Sequence, residues 1–476
     1  MTSSSIGRGS IRSNTLHTPP QARAWKPPGW VRLAGVGVLI ATTPAGHTRD
    51  APNPPYGLDS RVVPQAFLQM PHDASGPIPA HLSQTGAFKD VRNLVPADGL
   101  MPYDIRVAFW SDGASKLRWV AVPKEKIGFA PNGEWTWPAG TVFVKTFEMT
   151  MDAAHPDVKR RLETRLIVRD AAGGVYGVVY KWRSDNSDAD LLSSSLEEPL
   201  YIHTATGETR SQVWHYPSRN ECLQCHNEKA HGVLGLKTRQ MNREIRYPTG
   251  VTDNQLRTWN HLGLFTPQLK DTDIPDLAKL AASDDTTRSL EDRARSYLDA
   301  NCSQCHRPGV TAANFDARYD TPAASQAIVD GPVLIDERID RSRVIAPNDI
   351  WRSIAYLRVN TNDEIRMPPI ARETIDAQGV ALLKQWITSL PGKPVVAPPV
   401  LSPAGGTYST PVEVSLRSDE PGADIHYTLD GSNPTASDPK YDKPIKVTES
   451  GVVRARAFKN GYTRSITNQG VFIVGQ

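Results

Sequence analysis

The chain has 476 residues, of which 39% are hydrophobic and 22% charged, with a formal net charge of +3, 39 prolines and 34 glycines. That length accommodates several domains. The near-balanced charge gives no footing for nucleic acid or a polybasic membrane surface, and abundant Pro and Gly favour loops, turns and β-structure over long helices.

In chain order, the N-terminus is compatible with export. Arg8, Arg12, Arg23, Lys26 and Arg32 form a basic stretch without an acidic residue, Leu33 to Ala41 is a short apolar run, and Thr43-Pro44-Ala45 offers a small-residue cleavage site. Residues 1–46 therefore read as a signal peptide; the apolar run falls short of the roughly 20 residues that span a bilayer. Residues 59–216 read as β-rich. Runs at 118–122, 141–145, 165–169 and 175–180 are short and β-branched or aromatic, with turn signals such as Pro131-Asn132-Gly133 between them, so a sandwich-like domain is expected. Trp110, Trp119, Trp135, Trp137 and Trp182 read as core and sheet packing rather than a sugar-binding row.

Residues 217–285 and 286–391 are predicted to be mostly helical. Helices are expected over 288–301, where Leu290, Ala294, Tyr297 and Leu298 share a face, and over 377–390, where Val380, Leu383, Trp386, Ile387 and Leu390 do so before Pro391-Gly392. Residues 392–399 are a Pro-rich linker. Residues 400–476 alternate in period two, with Asp430-Gly431 and Asn460-Gly461 as hairpin-type turns, which predicts an Ig-like β-sandwich. The expected class is multidomain α+β, with a β-sandwich-like N-terminal domain, a central all-α region and a C-terminal sandwich.

All four cysteines fall in CxxCH sequences: Cys222, Cys225 and His226, then Cys302, Cys305 and His306. From the chain's own Cys and His frequencies, chance supplies about 0.001 such motifs. Two thiols with a two-residue gap suit addition to the two vinyl groups of a porphyrin, and the following histidine presents its imidazole to the iron. The cofactor expected is haem c, two copies. Met367, in Arg366-Met367-Pro368-Pro369, is the expected sixth ligand of the second iron. For the first iron Met241 ranks ahead of His231 and His261. A zinc site fits less well, because 76 residues (226–301) separate Cys225 from Cys302, against roughly 15–20 in a zinc ribbon. Paired disulfides would leave both histidines unexplained. Asp112 and Glu163 have no partner visible in the sequence and read as surface or structural acids.

Arg295 through His306, then Arg366-Met367-Pro368-Pro369, then Ala381 through Ile387, resemble a class I cytochrome c domain over about residues 290–390. The resemblance implies a His/Met haem suited to electron transfer, with a first helix leading into CxxCH and a last helix packing across it. Pro102-Tyr103-Asp104, Trp110 through Ala114, Gly140-Thr141-Val142 and Pro217-Ser218-Arg219 resemble a group of uncharacterised secreted proteins. Members of that group are often joined to cytochrome c modules and sometimes to quinoprotein-type sugar dehydrogenases. Ile425 through Pro434 and Val453 through Ala457 resemble the chitobiase/β-hexosaminidase C-terminal type of sandwich, which implies a spacer or attachment role, with carbohydrate or cell-surface contact as a further option.

The function expected is periplasmic electron transfer by an exported dihaem cytochrome, with redox proteins as partners: a dehydrogenase as donor and a cytochrome or oxidase as acceptor. The alternatives are a haem oxidoreductase, peroxidase-like or sugar-oxidising, with one haem catalytic, and a non-catalytic binding protein.

Overall fold

The computed structural model describes residues 54–475 apart from 312, 313 and 371. The expected leader lies outside the described residues. Two compact units form: Pro55–Val395 with Gly461–Ile466, and Val396–Asn460 with Thr467–Gln476. Among the described residues, no helix is long and apolar enough to cross a membrane.

The larger unit is built on one six-stranded sheet. Its strands are β1 (Leu100–Pro102), β2 (Ser115–Ala121), β3 (Val142–Thr150), β4 (Lys159–Arg169), β5 (Val175–Trp182) and β6 (Ala189–Leu191). They lie side by side in sequence order, every pair antiparallel. Because side chains alternate along a strand, each strand serves two faces. On one face Trp119, Val144, Leu166, Val178 and Tyr180 pack against Phe67, Met70, Leu82 and Phe88. On the other, Val120, Phe143 and Ile167 pack against Val233, Leu236, Trp259 and Phe265. Further along that second face, Phe147, Met149, Leu162 and Val179 meet Leu200, Ile202, Trp214 and Tyr216. Those four belong to a two-stranded ribbon, β7 (Leu196–His203) and β8 (Thr209–Tyr216).

The expected N-terminal sandwich is thus corrected to one sheet with a ribbon over part of one face. Period-two patterning identifies strands but does not count sheets; here much of the cover comes from irregular chain rather than a second sheet of similar size. Trp119, Trp135, Trp137 and Trp182 are buried, as core packing requires.

The central all-α region is also corrected. Residues 217–391 hold the helices α1 (Arg219–Cys225), α2 (Thr238–Met241), α3 (Gln255–His261), α4 (Leu290–Cys302), α5 (Ile354–Val359) and α6 (Ala377–Ser389), and none exceeds 13 residues. Short strands and loops separate them, so the chain as a whole is mostly β. Between α4 and α5, Pro308, Pro322, Pro332 and Pro347 deny the helix its amide donors. Ala327, Asp330, Glu337, Arg338, Arg341 and Asn348 take positive φ there, which no helix propagates through. The two helices expected from apolar periodicity do form, as α4 and α6. They pack through Ala294, Tyr297 and Leu298 against Leu382, Leu383, Trp386 and Ile387. Gly379 permits the approach, since a Cβ there would lie 2.4 Å from the Tyr297 ring.

The smaller unit is the expected β-sandwich, with a three-stranded and a four-stranded sheet. Strand Val412–Arg417 shows the pattern: Val414 and Leu416 are buried while Glu413 and Ser415 are exposed. Gly431 takes positive φ, as does Gly461 of the larger unit, but neither closes the expected hairpin: Asp424–Thr428 pairs with Gly451–Phe458 rather than with the strand that follows it, and residues 459–467 separate Gly451–Phe458 from Asn468–Val474.

Buried polar links fix the parts of the larger unit. The Lys237 ammonium lies 2.9 and 2.8 Å from the two Asp299 carboxylate oxygens, both side chains being under 10% exposed. The Trp110 backbone amide donates to Asn301 Oδ1 at 2.8 Å and its indole to the Thr374 carbonyl at 3.0 Å. The Asp112 carboxylate accepts from the amides of Glu373 and Thr374. Asp112 and Glu163 are both buried, so of the two roles expected only the structural one applies. Replacing Asp299 by Asn strands a buried ammonium without its counter-charge. The expected loss is about 3–5 kcal/mol of stability, read as a lower urea midpoint at unchanged slope.

Candidate functional site

The first motif is placed by local rules. Ser218-Arg219-Asn220-Glu221 is a capping box: the Ser218 hydroxyl accepts from the Glu221 amide, and the Glu221 carboxylate accepts from the Ser218 amide at 2.7 Å. The box starts α1, which carries Cys222 and Cys225 and ends at His226. The His226 ring bonds through Nδ1 to the Gly232 carbonyl at 2.7 Å. A carbonyl only accepts, so Nδ1 carries the proton and Nε2 keeps its lone pair. Burial, then the nearby Lys145 charge, lowers His226 to about 4, which keeps the imidazole neutral. Cys222 sits against the sheet because Gly177 has no side chain; a Cβ there would come within 2.9 Å of Cys222 Cβ and 3.0 Å of Ile167 Cδ1.

The second motif follows α4. Ser289 caps that helix by accepting from the Asp292 amide at 3.1 Å, and Glu291 and Asp292 favour its positive end. The His306 amide donates to the Cys302 carbonyl at 2.8 Å. The His306 ring stacks on Phe315 at 4.2 Å, and its buried Nδ1 has no hydrogen-bond partner. Burial lowers His306 to about 4 and pushes the Cys302 thiol up to about 12.

The two motifs, distant in sequence, adjoin in space. The Cys305 thiol lies 3.9 Å from the Gln224 carbonyl, and the influence of the Cys225 and Cys305 thiols on each other raises Cys225 and lowers Cys305 to about 7. The Asn227 side-chain amide donates to the Gln304 carbonyl at 3.2 Å, and the Arg307 guanidinium to the Lys229 carbonyl at 3.1 Å. None of the four cysteines is in a disulfide.

A cleft of about 160 Å³ opens between the sheet and the motifs. Cys222, Cys225 and His226 line one part of it; Ile105, Val107, Phe143, Ile167, Val233 and Leu236 give it an apolar surface. Ser303, Gln304 and Arg307 reach it from the second motif, and Ile370 from just past Met367. Lys116, Arg118, Lys145 and Arg165 line it from β2, β3 and β4. Burial, then Arg165 and Arg118, lowers Lys145 to about 7. The residues present fit a covalently tethered haem: paired free thiols, a neutral imidazole with its outer nitrogen already bonded, an apolar lining, and cations able to meet carboxylates.

The expected sixth ligands are placed differently from one another. Met241 is fully buried in the core beneath the sheet, among Val233, Leu236 and Trp259, and is not part of the cleft lining. His231 is exposed, and His261 stacks on Tyr56 at 3.7 Å; neither lines the cleft. Met367 is half-buried, its amide donating to the Arg358 carbonyl at 2.9 Å, while the Arg358 charge bears on His306. The inward-facing Lys116 and Lys145 were missed from the sequence: Lys145 ends the expected run 141–145 at a position where apolar residues are the rule, and Lys116 precedes the expected run 118–122, because the strand begins earlier, at Ser115. Among the described residues, no group of three or more His, Cys, Asp or Glu is arranged to hold a bare metal ion.

Comparisons with known proteins bear on the smaller unit. Residues 403–468 match the chitobiase/β-hexosaminidase C-terminal domain. The module is a β-sandwich, as its two sheets require, and covers only a small part of the chain. No curated protein and no solved structure matches the chain. The comparisons lend no support to the cytochrome c resemblance of residues 290–390.

Replacing Gly177 by Ala pushes a methyl into Cys222 and Ile167. Stability should fall by about 1–3 kcal/mol in urea unfolding. Any group bound through Cys222 should be lost in preference to one bound through Cys302, as peptide mass mapping of the two motifs would report.

Proposed function

We propose that the chain is an exported dihaem c-type electron carrier, with haem attached through Cys222 and Cys225 beside His226 and through Cys302 and Cys305 beside His306. The observation that carries this reading is the pairing of free thiols and a neutral histidine in each motif, the two motifs adjoining beside one apolar, cation-bearing cleft. Haem supplies a one-electron iron couple. The chain's residues do the rest. His226 offers Nε2 while the Gly232 carbonyl fixes its ring; the apolar lining keeps water from the site; Met367 is the proposed sixth ligand of the second iron. In bacteria haem is attached covalently outside the cytoplasm, which makes the periplasm the proposed location and other redox proteins, a dehydrogenase donor and a cytochrome or oxidase acceptor, the proposed partners. The C-terminal sandwich serves in this reading as spacer or surface attachment.

A second reading, a haem oxidoreductase, draws on one observation: Met241, His231 and His261 all lie off the cleft lining. A first iron not ligated by any of them would have room for a small substrate.

Pyridine haemochrome titration with the mass of the mature chain should count two covalent haems. Cys222→Ala combined with Cys225→Ala should leave one; a count of zero in the parent protein refutes the proposal. Met367→Ala should convert the second iron from low-spin to high-spin in its visible spectrum. An unchanged spectrum removes Met367 as ligand.

A further inference from the structure

The cleft face of the sheet gathers positive charge. Strand register sets Arg118 opposite Lys145 and Lys145 opposite Arg165, with Lys116 two residues before Arg118 on the same face. Three of these cations surround one ring. Lys116 Nζ lies 5.7 Å, Lys145 Nζ 5.2 Å and the Arg165 guanidinium carbon 4.5 Å from the Phe147 centroid. Like charges side by side in a sheet repel, and a ring face only partly offsets the loss of hydration.

Most cations lining the cleft are matched by a carboxylate. Arg118 bonds Asp104 at 2.7 Å, Arg165 bonds Glu163 at 2.6 Å, Lys237 bonds Asp299 at 2.8 Å and Arg307 bonds Glu134 at 3.1 Å. Two are not. Lys116 donates to a neutral group, the Phe109 carbonyl, at 2.8 Å. The Lys145 ammonium has no hydrogen bond or ion pair among the described residues; it lies over the Phe147 ring. The cleft therefore holds two lysines that no carboxylate touches, although Asp112 and Glu163 act on them from further off, and a haem brings two carboxylates. Vinyl groups and carboxylates occupy opposite edges of a porphyrin, so a haem held at Cys222 must send its carboxylates away from Gly177. Lys145 lies two strands across and two residues along from Gly177, about 12 Å by strand spacing and rise.

We propose that Lys116 and Lys145 are the seats of the two carboxylates of the haem attached at Cys222 and Cys225. This rests on the functional reading above and adds to it the residues that orient the cofactor. The lysines are positioning residues: they set the haem's tilt in the cleft and raise its potential, because a nearby positive charge favours the reduced iron.

The test uses the mature protein after its mass has confirmed two haems. Lys145→Met and Lys116→Met should each shift the resonance Raman bending bands of the haem carboxylates and lower the midpoint potential of one haem only. Lys145→Arg should restore both readouts. Lys384→Met, on the exposed side of α6, should change neither. If Lys145→Met does not fold, Lys116→Met reads the second seat. Unmoved bands and potential in the lysine variants, with both haems attached, overturn this proposal alone; a mass short of two haems overturns the functional reading with it. Saturable binding of inorganic sulfate to the two-haem protein, lost in Lys145→Met, would mean the seat takes a free oxyanion and also overturns the proposal.

Discussion

The ion pair between Lys237 and Asp299 is the contact on which the arrangement of the larger unit turns. Lys237 follows the first CxxCH by eleven residues; Asp299 precedes the second by three, on the helix that leads into it. Both side chains are nearly sealed from solvent. A buried pair repays its desolvation only with good geometry and further hydrogen bonds, and Asp299 has one, from the Tyr319 amide at 3.0 Å. With that pair in place the other links have little freedom: Asn227 reaches Gln304, Arg307 reaches Lys229, and Cys305 reaches the Gln224 carbonyl. Trp110 and Asp112 then tie the sheet to Asn301 and to residues 373–374, closing the third side.

The sheet shows how one strand pattern serves two purposes. On the face toward Phe67 and Leu82, the inward residues of β2 to β5 are mainly large and apolar. On the cleft face the same strands carry Lys116, Arg118, Lys145, Glu163 and Arg165 among Phe143, Phe147 and Ile167. Charge at a position that strand alternation directs inward is costly for folding, and natural sequences tend to break such local rules at functional sites. These charges line the same cleft as Cys222 and Cys225, so the buried charge and the first motif share one surface.

Much of this was legible in the sequence, and the limits have physical causes. The strands were visible because Val, Ile, Tyr and Trp alternate in them; the C-terminal sandwich was visible for the same reason. Helices α4 and α6 were visible in the apolar spacing of Ala294, Leu298, Leu383 and Trp386. The CxxCH residues declared themselves by type and spacing. Three things were hidden. The sheet count depends on tertiary cover, which patterning does not encode. The adjacency of the motifs depends on contacts such as Lys237 with Asp299, between residues 62 apart in sequence. Met241 looked like a ligand by residue type, yet it sits among apolar side chains in the core, where an unbranched thioether commonly fills space.

The irregular stretch between α4 and α5 follows from the same logic. Compact domains seldom tolerate some fifty residues with so little regular structure, yet here the chain is well packed: Ile328, Val344 and Ile345 join Tyr297 and Trp386 in one core, and the buried Ser353 hydroxyl donates to the Asp349 carbonyl at 2.7 Å. Phe315, early in this stretch, stacks on the His306 ring, whose buried Nδ1 has no hydrogen-bond partner among the described residues. A covalently attached prosthetic group would need only enough regular structure to present the residues that attach it. On the proposed reading, the departure from an all-α domain is therefore compatible with haem binding, because attachment depends on the local geometry of Cys302, Cys305 and His306 and not on the architecture that carries them.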